Sequence, residues 1–276
     1  MTILDGKSYR DEKIREYKKT IEEEKLAIRL DIITVGDDAA SEVYVRNKVK
    51  YATLVGIEVV THKLEADIDE ETLISLIDEL NENDEVTGII LQSPIPKHLD
   101  FDACASRIVG YKDIDGFTAN NIDRLYHNRE ELVPCTVKGI IALLEHYGIN
   151  LEGKNVTIIG RGGIVGKPLS LALSNRNATV TLCHSKTVNL ADHTMCADIV
   201  VSAVGRRNIV TKDMVKDGFI GIDVGINRED GKLYGDFDYE NVKDKASFIT
   251  PVPGGVGPMT VAMIIDNLII AKRMEK

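Results

Sequence analysis

The chain lacks the patterns that mark metal sites, disulfide frameworks and membrane spans. Its four cysteines form no C-x-x-C pair and its six histidines form no H-E-x-x-H motif, so neither a zinc site nor a set of disulfides is expected. Reduced thiols are the default for a cytosolic protein. The first residues are too polar for a signal peptide, and no apolar stretch is long enough to span a bilayer. We therefore expect a cytoplasmic protein with no metal and no membrane partner.

Positive charge is also scarce. The 34 Lys and Arg residues are outnumbered by 44 Asp and Glu residues, which gives a formal net charge of −10. This balance argues against nucleic acid or an anionic membrane surface as a partner. An anionic ligand would have to be met by local positive groups. The length of 276 residues allows one large domain or two modest ones.

Helical and strand-like segments alternate from end to end, and no internal repeat or low-complexity tract is present. This alternation predicts an α/β fold with largely parallel sheets. A first series of strands covers residues 27–35, 57–64 and 86–91. A second series begins after residue 139 and contains a glycine-rich turn that the first series lacks. We therefore predict two domains, one of them Rossmann-like and the other a separate substrate domain.

The glycine-rich turn at residues 155–168 is the strongest local signal. Residues 156–159 are apolar and β-branched, as in a strand buried on both faces, and a helical segment follows the glycines. Strand, glycine turn and helix together direct backbone N–H groups at a pyrophosphate. The spacing from Gly160 through Gly162 to Gly166 is one residue longer than the common fingerprint. A tight turn whose glycines serve only steric needs is the alternative interpretation.

The end of the next strand indicates which dinucleotide would bind. NAD enzymes usually place an acid there for the ribose 2′-OH, whereas NADP enzymes supply positive or hydroxyl groups. Here the strand at residues 178–183 runs into Ser185 and Lys186, and Arg161 lies in the glycine turn. The absence of an acid therefore favours NADP.

Polar residues of the first series are candidates for catalysis. Ser41, Tyr44 and Lys48 share one face of a predicted helix. A lysine held near an apolar pocket can act as a base or a proton donor, although such a pair is most often a solvated helix face. Gln92 follows a buried strand, where ligands bind in open α/β sheets. It could hydrogen-bond to a lysine or equally cap a loop.

Two further segments are candidates for ligand contact. Asp113 and Asp115 lie beside a glycine in a predicted loop, where they could recognise a ring carrying N–H donors or merely form an Asx turn. Residues 250–260 are too rich in proline and glycine for a strand or helix, so their backbone could approach a ligand closely. A plain connector is the alternative for this segment.

Eight segments recur together, and in this order, in one enzyme family. They are S-E-V-Y-V-R-N-K (41–48), G-I-I-L-Q-S-P-I-P (88–96), K-D-I-D-G-F (112–117), P-C-T-V-K-G (134–139), G-R-G-G-I-V-G-K-P (160–168), C-H-S-K-T (183–187), D-V-G-I-N (223–227) and T-P-V-P-G-G-V-G-P-M-T (250–260). The set covers nearly the whole chain, and its last member is highly specific. The chain resembles the bifunctional methylenetetrahydrofolate dehydrogenase/methenyltetrahydrofolate cyclohydrolase family.

The resemblance implies a division of the chain and an assembly. Residues 1–136 and 254–276 would form a folate-binding catalytic domain, which the C-terminal helix completes, and residues 137–253 would form the NADP-binding Rossmann-like domain. The sequence alone leaves open which domain that last helix joins. The family is typically a homodimer formed through its NADP domains.

The resemblance also implies an activity and the residues that perform it. A hydride would leave 5,10-methylenetetrahydrofolate for NADP, and water would then convert the methenyl product to 10-formyltetrahydrofolate. The implied catalytic residues are Lys48 at the centre, Tyr44 lining the folate site, Gln92 tuning Lys48, and Asp115 anchoring the pterin. The loop implied to contact the substrate is Pro253, Gly254, Gly255, Val256 and Gly257, and the groups implied to hold NADP are Gly160, Arg161, Gly162, Ser185 and Ile226.

The chain departs from the family's usual residues at several positions. The departures are Ser93 for Leu, Thr118-Ala119 for His-Pro, Asp123 for Gly, Val137 for Pro, and Gly162-Gly163 for Ser-Asn. None removes an implied catalytic residue. Because Ser93 and Thr118 lie close in sequence to the implied folate site, we expect the departures to affect the cyclohydrolase more than the dehydrogenase.

Two other functions fit parts of this pattern. A different two-domain NADP oxidoreductase, such as one similar to shikimate dehydrogenase, would share the Rossmann half. It would not need Lys48, Gln92 and the 250–260 segment together. A protein that only senses NADP would keep the glycine turn without the polar set of the first series.

Overall fold

The computed structural model describes residues 1–275, without the side chains of residues 39 and 40. Its strands are β1 (Thr2–Ile3), β2 (Arg29–Val35), β3 (Glu58–Leu64), β4 (Gly88–Leu91), β5 (Asn155–Ile159), β6 (Thr179–Cys183), β7 (Ile199–Ser202), β8 (Phe219–Asp223), β9 (Asn227–Glu229), β10 (Lys232–Tyr234) and β11 (Ala246–Ile249). Its α-helices are α1 (Gly6–Glu24), α2 (Ala39–Leu54), α3 (Glu70–Glu82), α4 (Phe101–Ala105), α5 (Ala119–Tyr126), α6 (Cys135–His146), α7 (Gly166–Ser174), α8 (Leu190–Cys196), α9 (Tyr239–Val242) and α10 (Val256–Met274).

The α/β fold predicted from the sequence is confirmed, and the chain divides into two compact units. We call the first the β2–β4 unit; it contains residues 11–135 and the chain from Val261 onward. We call the second the β5–β8 unit; it contains residues 1–10 and 136–260. Within the described chain, no helix is long and apolar enough to cross a membrane.

The β2–β4 unit is built on a three-stranded parallel sheet with the order β3-β2-β4. All four residues of β4 are buried, and the core contains Ile33 of β2 together with Leu73 and Ile77 of α3. The later part of α10 packs on β4 at Gly88, where an added Cβ would lie 2.7 Å from the Leu268 side chain. This close packing explains why a strand interior carries glycine.

The β5–β8 unit is built on a six-stranded parallel sheet with the order β1-β11-β8-β7-β5-β6. Its central strands β5 and β7 are almost wholly buried, as expected for a sheet covered by helices on both faces. The strand order reverses between β5 and β7. The carboxyl ends of these two strands therefore form the topological switch point, at which open α/β folds bind ligands. An antiparallel hairpin of β9 and β10 follows β8.

The amino-terminal residues differ from the predicted division. The sequence assigns residues 1–136 to the first domain, whereas residues 1–10 lie in the β5–β8 unit because β1 pairs in parallel with β11. A strand of two residues has no periodicity that a sequence pattern could reveal. The other divisions fall between Cys135 and Thr136, one residue from the predicted boundary, and inside α10 rather than before it.

Candidate active site

Helix α2 presents Lys48 in the β2–β4 unit. The helix begins after Asp38, whose carboxylate accepts a hydrogen bond from the Ser41 amide at 2.7 Å, as expected of an N-cap. Lys48 is only 8% exposed, whereas Tyr44, one turn earlier, is 41% exposed. Because a solvated helix face does not bury its lysine, the burial of Lys48 favours a functional role over that alternative.

The two acids of the K-D-I-D-G-F segment have different partners. The carboxylate of Asp113 accepts hydrogen bonds from the amides of Gly116 (2.9 Å) and Thr118 (2.7 Å), and from the side chain of Asn121 (2.9 Å). Asp113 therefore forms the Asx-type turn that the sequence left as one alternative. The turn leaves Asp115 available for a different contact.

Asp115 lies close to Lys48 within the β2–β4 unit. The Asp115 Oδ2 atom lies 3.7 Å from the Lys48 Nζ atom, and both side chains are mostly buried. Burial raises the pKa of the Asp115 carboxyl, and the nearby Lys48 ammonium opposes that rise. The two predicted catalytic residues therefore form one mostly buried pair.

Gln92 lies directly after β4 and carries an unsatisfied acceptor. Its Nε2 atom donates to the Ser93 carbonyl at 2.7 Å, but its buried Oε1 atom has no hydrogen-bond partner among the described residues. The Ser41 hydroxyl donates to the same carbonyl at 3.2 Å, which ties the start of α2 to the end of β4. An orphaned buried oxygen favours a ligand-facing role for Gln92 over a loop cap. The predicted hydrogen bond from Lys48 to Gln92 is not present in this structure.

A cavity of about 330 Å³ opens beside α2. Gln92 and Pro94 line one side of it, and Arg46 and Lys63 line another. Ser41 also borders this cavity, so the residues that contact the Ser93 carbonyl form part of its wall. The cavity therefore borders Gln92, whose orphaned Oε1 atom is itself buried.

Sequence reasoning assigned no role to Lys112, and the structure gives it one in folding. Its Nζ atom donates to the carbonyls of Leu80 (3.1 Å), Asn81 (2.7 Å) and Asn83 (2.8 Å) at the end of α3. Burial lowers the pKa of Lys112. The residue caps a helix C-terminus and holds the segment that carries Asp115. A lysine next to the acids was the only signal for it in the sequence.

The glycines of the turn after β5 are of two kinds: some have no room for a side chain, and others have open space around them. Gly160 has φ +112°, and an added Cβ there would lie 2.6 Å from the Ala203 carbonyl oxygen. A Cβ at Gly166 would lie 1.8 Å from the Gly160 carbonyl oxygen, which shows how closely α7 packs on the turn. At Gly162, by contrast, a Cβ would meet no described atom within 4 Å. Steric need therefore explains Gly160 and Gly166 but not Gly162.

The remaining predicted cofactor residues follow the carboxyl ends of neighbouring strands. Ser185 lies in a tight turn after β6, in which the Thr187 amide donates to the His184 carbonyl at 2.8 Å. The residues at this strand end include no acid, as the sequence predicted. Ile226 follows β8 and is 45% exposed. The β6, β5, β7 and β8 ends are adjacent in the sheet, so all these residues lie along one edge of the β5–β8 unit.

The proline- and glycine-rich segment precedes α10, which begins at Val256. Gly254 has φ +116°, and its carbonyl accepts a hydrogen bond from the Lys7 amide at 3.0 Å. A Cβ at Gly6 would lie 1.9 Å from the Gly255 carbonyl oxygen, so the amino-terminal segment packs directly on this loop. Substrate contact by Pro253, Gly254, Gly255, Val256 and Gly257 stays a prediction.

Comparison with known families matches both parts of the chain. The catalytic domain of the tetrahydrofolate dehydrogenase/cyclohydrolase family matches residues 4–115. The NAD(P)-binding domain of the same family matches residues 134–276. The two matches together cover most of the chain and contain every predicted site residue.

Individual relatives match over nearly their whole length. The bifunctional protein FolD of Thermodesulfovibrio yellowstonii is 49% identical, over 99% of this chain and 97% of that protein. The bifunctional enzyme FolD of Campylobacter jejuni, a solved structure, has a TM-score of 0.97 at 42% identity and covers 100% of both chains. The N5,N10-methylenetetrahydrofolate dehydrogenase–cyclohydrolase of Trypanosoma brucei, solved with NADP and an inhibitor, has a TM-score of 0.95 at 33% identity and covers 100% of this chain and 98% of that one.

Proposed function

The chain belongs to the tetrahydrofolate dehydrogenase/cyclohydrolase family, and we propose that it carries out both reactions with NADP as the oxidant. In the first reaction, 5,10-methylenetetrahydrofolate loses a hydride from its methylene carbon and becomes the 5,10-methenyl cation. In the second, the oxygen of water bonds to the methenyl carbon and the bond from that carbon to N5 breaks. The products are 10-formyltetrahydrofolate and one proton.

The observation that carries the proposal is the buried pair of Lys48 and Asp115, which lies in the same unit as the orphaned Gln92 oxygen. Addition of water to a cation releases a proton, so the site needs a group that can accept one. Lys48 Nζ is the buried nitrogen of the pair and is therefore the group suited to that role. A protein that only senses NADP would not require both a buried Lys48–Asp115 pair and an unsatisfied Gln92 acceptor in the unit without the glycine turn.

The other residues have roles that follow from their atoms. Asp115 accepts hydrogen bonds through its carboxylate, so it suits the N–H donors of a pterin ring. Gln92 Oε1 can accept a hydrogen bond from the Lys48 amine or from the substrate, and either contact would fix the substrate relative to Nζ. Tyr44 is partly exposed and aromatic, which suits it to line the ring site.

The β5–β8 unit fits a dinucleotide. The amino end of α7 has no side-chain cap within the described chain, so the positive end of this helix can face a pyrophosphate, although the Lys167 amide already donates to the Gly162 carbonyl. Open space at Gly162 allows a close approach to the backbone. We propose that Gly160, Arg161 and Gly162 hold the pyrophosphate and that Ser185 meets the 2′-phosphate of the adenine ribose. NADP, when bound, supplies the acceptor for the hydride.

One experiment tests both reactions. Protein is mixed with methylenetetrahydrofolate and NADP, and the methenyl and 10-formyl products are followed separately. We expect both to form, with the 10-formyl product following the methenyl one. Methenyl product alone would remove the cyclohydrolase from the proposal. Absence of product with either NADP or NAD would overturn it altogether.

We also propose a cytoplasmic homodimer, on the basis of the family resemblance. The edge strand β6 leaves one side of the six-stranded sheet open for pairing or packing. The four cysteines form no disulfide in the described chain, in keeping with a reducing compartment. Sedimentation equilibrium would give twice the chain mass if the proposal holds and the mass of a single chain if it does not.

A further inference from the structure

Two buried carboxylates of the β5–β8 unit lie outside the set that the sequence singled out for binding. Asp223 ends β8 and is 2% exposed, and Asp236 follows β10 and is fully buried. Neither has a cationic partner among the described residues. Both are held instead by amide and hydroxyl donors, and buried carboxylates held in this way are costly unless each oxygen is satisfied.

Asp223 binds the chain on both sides of the β9–β10 hairpin. Its Oδ1 atom accepts hydrogen bonds from the amides of Gly225 (3.1 Å) and Asp236 (2.8 Å). Its Oδ2 atom accepts from the Phe237 amide at 2.9 Å. One side chain thus connects the loop that leaves β8 to the loop that returns from β10.

Asp236 binds the loop after β7 in addition. Its Oδ2 atom accepts from the Ser202 hydroxyl at 2.8 Å and from the Val204 amide at 2.9 Å. Its Oδ1 atom accepts from the Arg206 amide at 2.8 Å and from the Asn227 side chain at 3.2 Å. Asp236 therefore fixes the loop after β7 and also holds the residue that follows Ile226.

Two glycines leave room for these carboxylates. A Cβ at Gly225 would lie 2.0 Å from Asp236 Oδ1. A Cβ at Gly235 would lie 1.9 Å from Asp223 Oδ2. Asp236 therefore lies directly against the loop after β8, and Asp223 lies directly against the segment that carries Asp236, so the loops and the two acids are fixed as one body.

The loops fixed in this way carry two exposed apolar side chains. Val204 after β7 is 41% exposed, and Ile226 after β8 is 45% exposed. The Val204 amide itself donates to Asp236, and Ile226 lies between Gly225, whose amide donates to Asp223, and Asn227, whose side chain donates to Asp236. They lie at the carboxyl ends of β7 and β8, on the opposite side of the switch point from the glycine turn and Ser185. In a Rossmann fold this second half meets the second mononucleotide of the cofactor.

We propose that Asp223 and Asp236 are positioning residues that hold Val204 and Ile226 as the wall for the nicotinamide half of the cofactor. The inference rests on the proposed function, because it requires that the β5–β8 unit bind NADP. If the two acids served only the fold, substituting them would lower the stability of the protein. Binding of the nicotinamide half and of the adenine half would then be affected alike. The nicotinamide and adenine halves therefore provide the test.

The experiment compares binding of NADP with binding of 2′,5′-ADP, which carries only the adenine half. The variant Asp236→Asn keeps the shape of the side chain but places an NH₂ group against N–H or O–H donors, so the loop after β7 must shift. We expect its Kd for NADP to rise about tenfold or more while its Kd for 2′,5′-ADP changes less than about twofold. The KM for NADP should rise likewise, and the KM for methylenetetrahydrofolate should not.

Asp198→Asn is the matched control. Asp198 is also a carboxylate that accepts from a backbone amide, that of Asn155 at 2.9 Å, but it lies at the amino end of β7. It pairs with Lys216 at 2.6 Å. This variant should unfold at a lower temperature than wild type, and its Kd values for NADP and 2′,5′-ADP should be unchanged. If Asp236→Asn does not fold, Asn227→Ala removes the hydrogen bonds from the Asn227 side chain to Asp236 and to the Gly235 carbonyl and should weaken NADP binding in the same direction.

The outcomes separate this inference from the proposed function. Equal loss of affinity for NADP and 2′,5′-ADP in Asp236→Asn would overturn the positioning role, because the damage would then be general. Unchanged affinities in the folded variants would overturn it as well. Wild-type protein that binds neither ligand would refute the NADP assignment itself.

Discussion

Lys48 and Asp115 form an ion pair of 3.7 Å between two segments that are distant in sequence, a helix and a loop. The loop reaches the helix because residue 113 forms a parallel bridge with Ile89 of β4, which extends the sheet by one short segment. The pair is therefore fixed by backbone hydrogen bonding rather than by side-chain contact alone. Because the backbone holds both residues in place, a substitution of either side chain can change the activity without unfolding the protein.

Replacing Lys48 by methionine should abolish the cyclohydrolase. Methionine keeps the length and apolar stem of the side chain, so the buried site stays filled, but it cannot accept or donate a proton. We expect hydrolysis of methenyltetrahydrofolate to fall by a factor of about 100 or more, in the range of lost general acid–base catalysis. The Kd for NADP should be unchanged. Lys50→Met, on an exposed position of the same helix, is the control and should keep both activities.

Conversion of the methenyl to the 10-formyl compound at the wild-type rate by Lys48→Met would refute the role of Lys48. Equal losses in Lys48→Met and Lys50→Met would indicate a change in the helix and not in the chemistry.

Substitutions of the neighbouring acids Asp113 and Asp115 should differ in how much stability and how much activity they cost. Asp113→Ala leaves three donors without their acceptor, so we expect the free energy of unfolding to fall by about 2 to 4 kcal/mol. Asp115→Asn should cost less stability, because burial already disfavours the charged form of this carboxyl. It should nevertheless lose most of the activity. Urea unfolding and steady-state kinetics on both variants give the ranking, and a reversed ranking would contradict our assignment of the two acids.

The sequence identified the α/β class because buried strands and amphipathic helices have different periods. It could not place residues 1–10, whose position depends on pairing with a strand near the other end of the chain. Contacts between distant segments leave no periodicity in either segment.

The candidate site, like the fold, could be predicted only in part from the sequence. Lys48, Gln92 and Asp115 could be proposed as a set, but the division of labour between Asp113 and Asp115 depends on which amides each one meets. The role of Asp236 was not predictable, because its partners come from the end of β7, the loop after it and the start of β9.

Two glycines of the turn after β5 should separate folding from binding. Gly166→Ala places a Cβ 1.8 Å from a backbone carbonyl oxygen, which forces α7 away from the strand. We expect a loss of about 2 to 4 kcal/mol in the free energy of unfolding, in the range of severe overpacking. Gly162→Ala meets no described atom, so its unfolding temperature should be nearly unchanged while NADP binding weakens. Unchanged NADP affinity in Gly162→Ala would show that the pyrophosphate lies elsewhere.

An acid at the end of β6 should change the choice of cofactor. The wild-type protein is expected to prefer NADP, because Ser185 and Lys186 can meet a 2′-phosphate that an acid would repel. Ser185→Asp should lower kcat/KM with NADP by about tenfold or more and affect NAD much less. Ser106→Asp carries the same charge change on the β2–β4 unit and should leave the ratio unaltered. Equal wild-type kcat/KM values for the two cofactors would refute the preference.

Asp223 should give the protein a measurable pH dependence of stability. Burial raises the pKa of its carboxyl from 3.8 to about 6, and the charge of Asp236 adds to the rise while the backbone donors oppose it. Other ionisable or charged groups around the adjoining cavity are Arg207, Tyr234, Asp238, Tyr239 and Glu240.

Between pH 4 and pH 6 the folded protein therefore holds a proton at Asp223 that the unfolded chain has released. The contribution of this group to stability is present at low pH and is lost as the pH rises through about 6. From pH 5 to pH 7 the loss amounts to about 1 kcal/mol. Urea unfolding of wild type and Asp223→Asn at both pH values isolates it, because the amide does not titrate. The wild-type free energy of unfolding should fall relative to that of the variant, and parallel pH profiles would contradict the raised pKa.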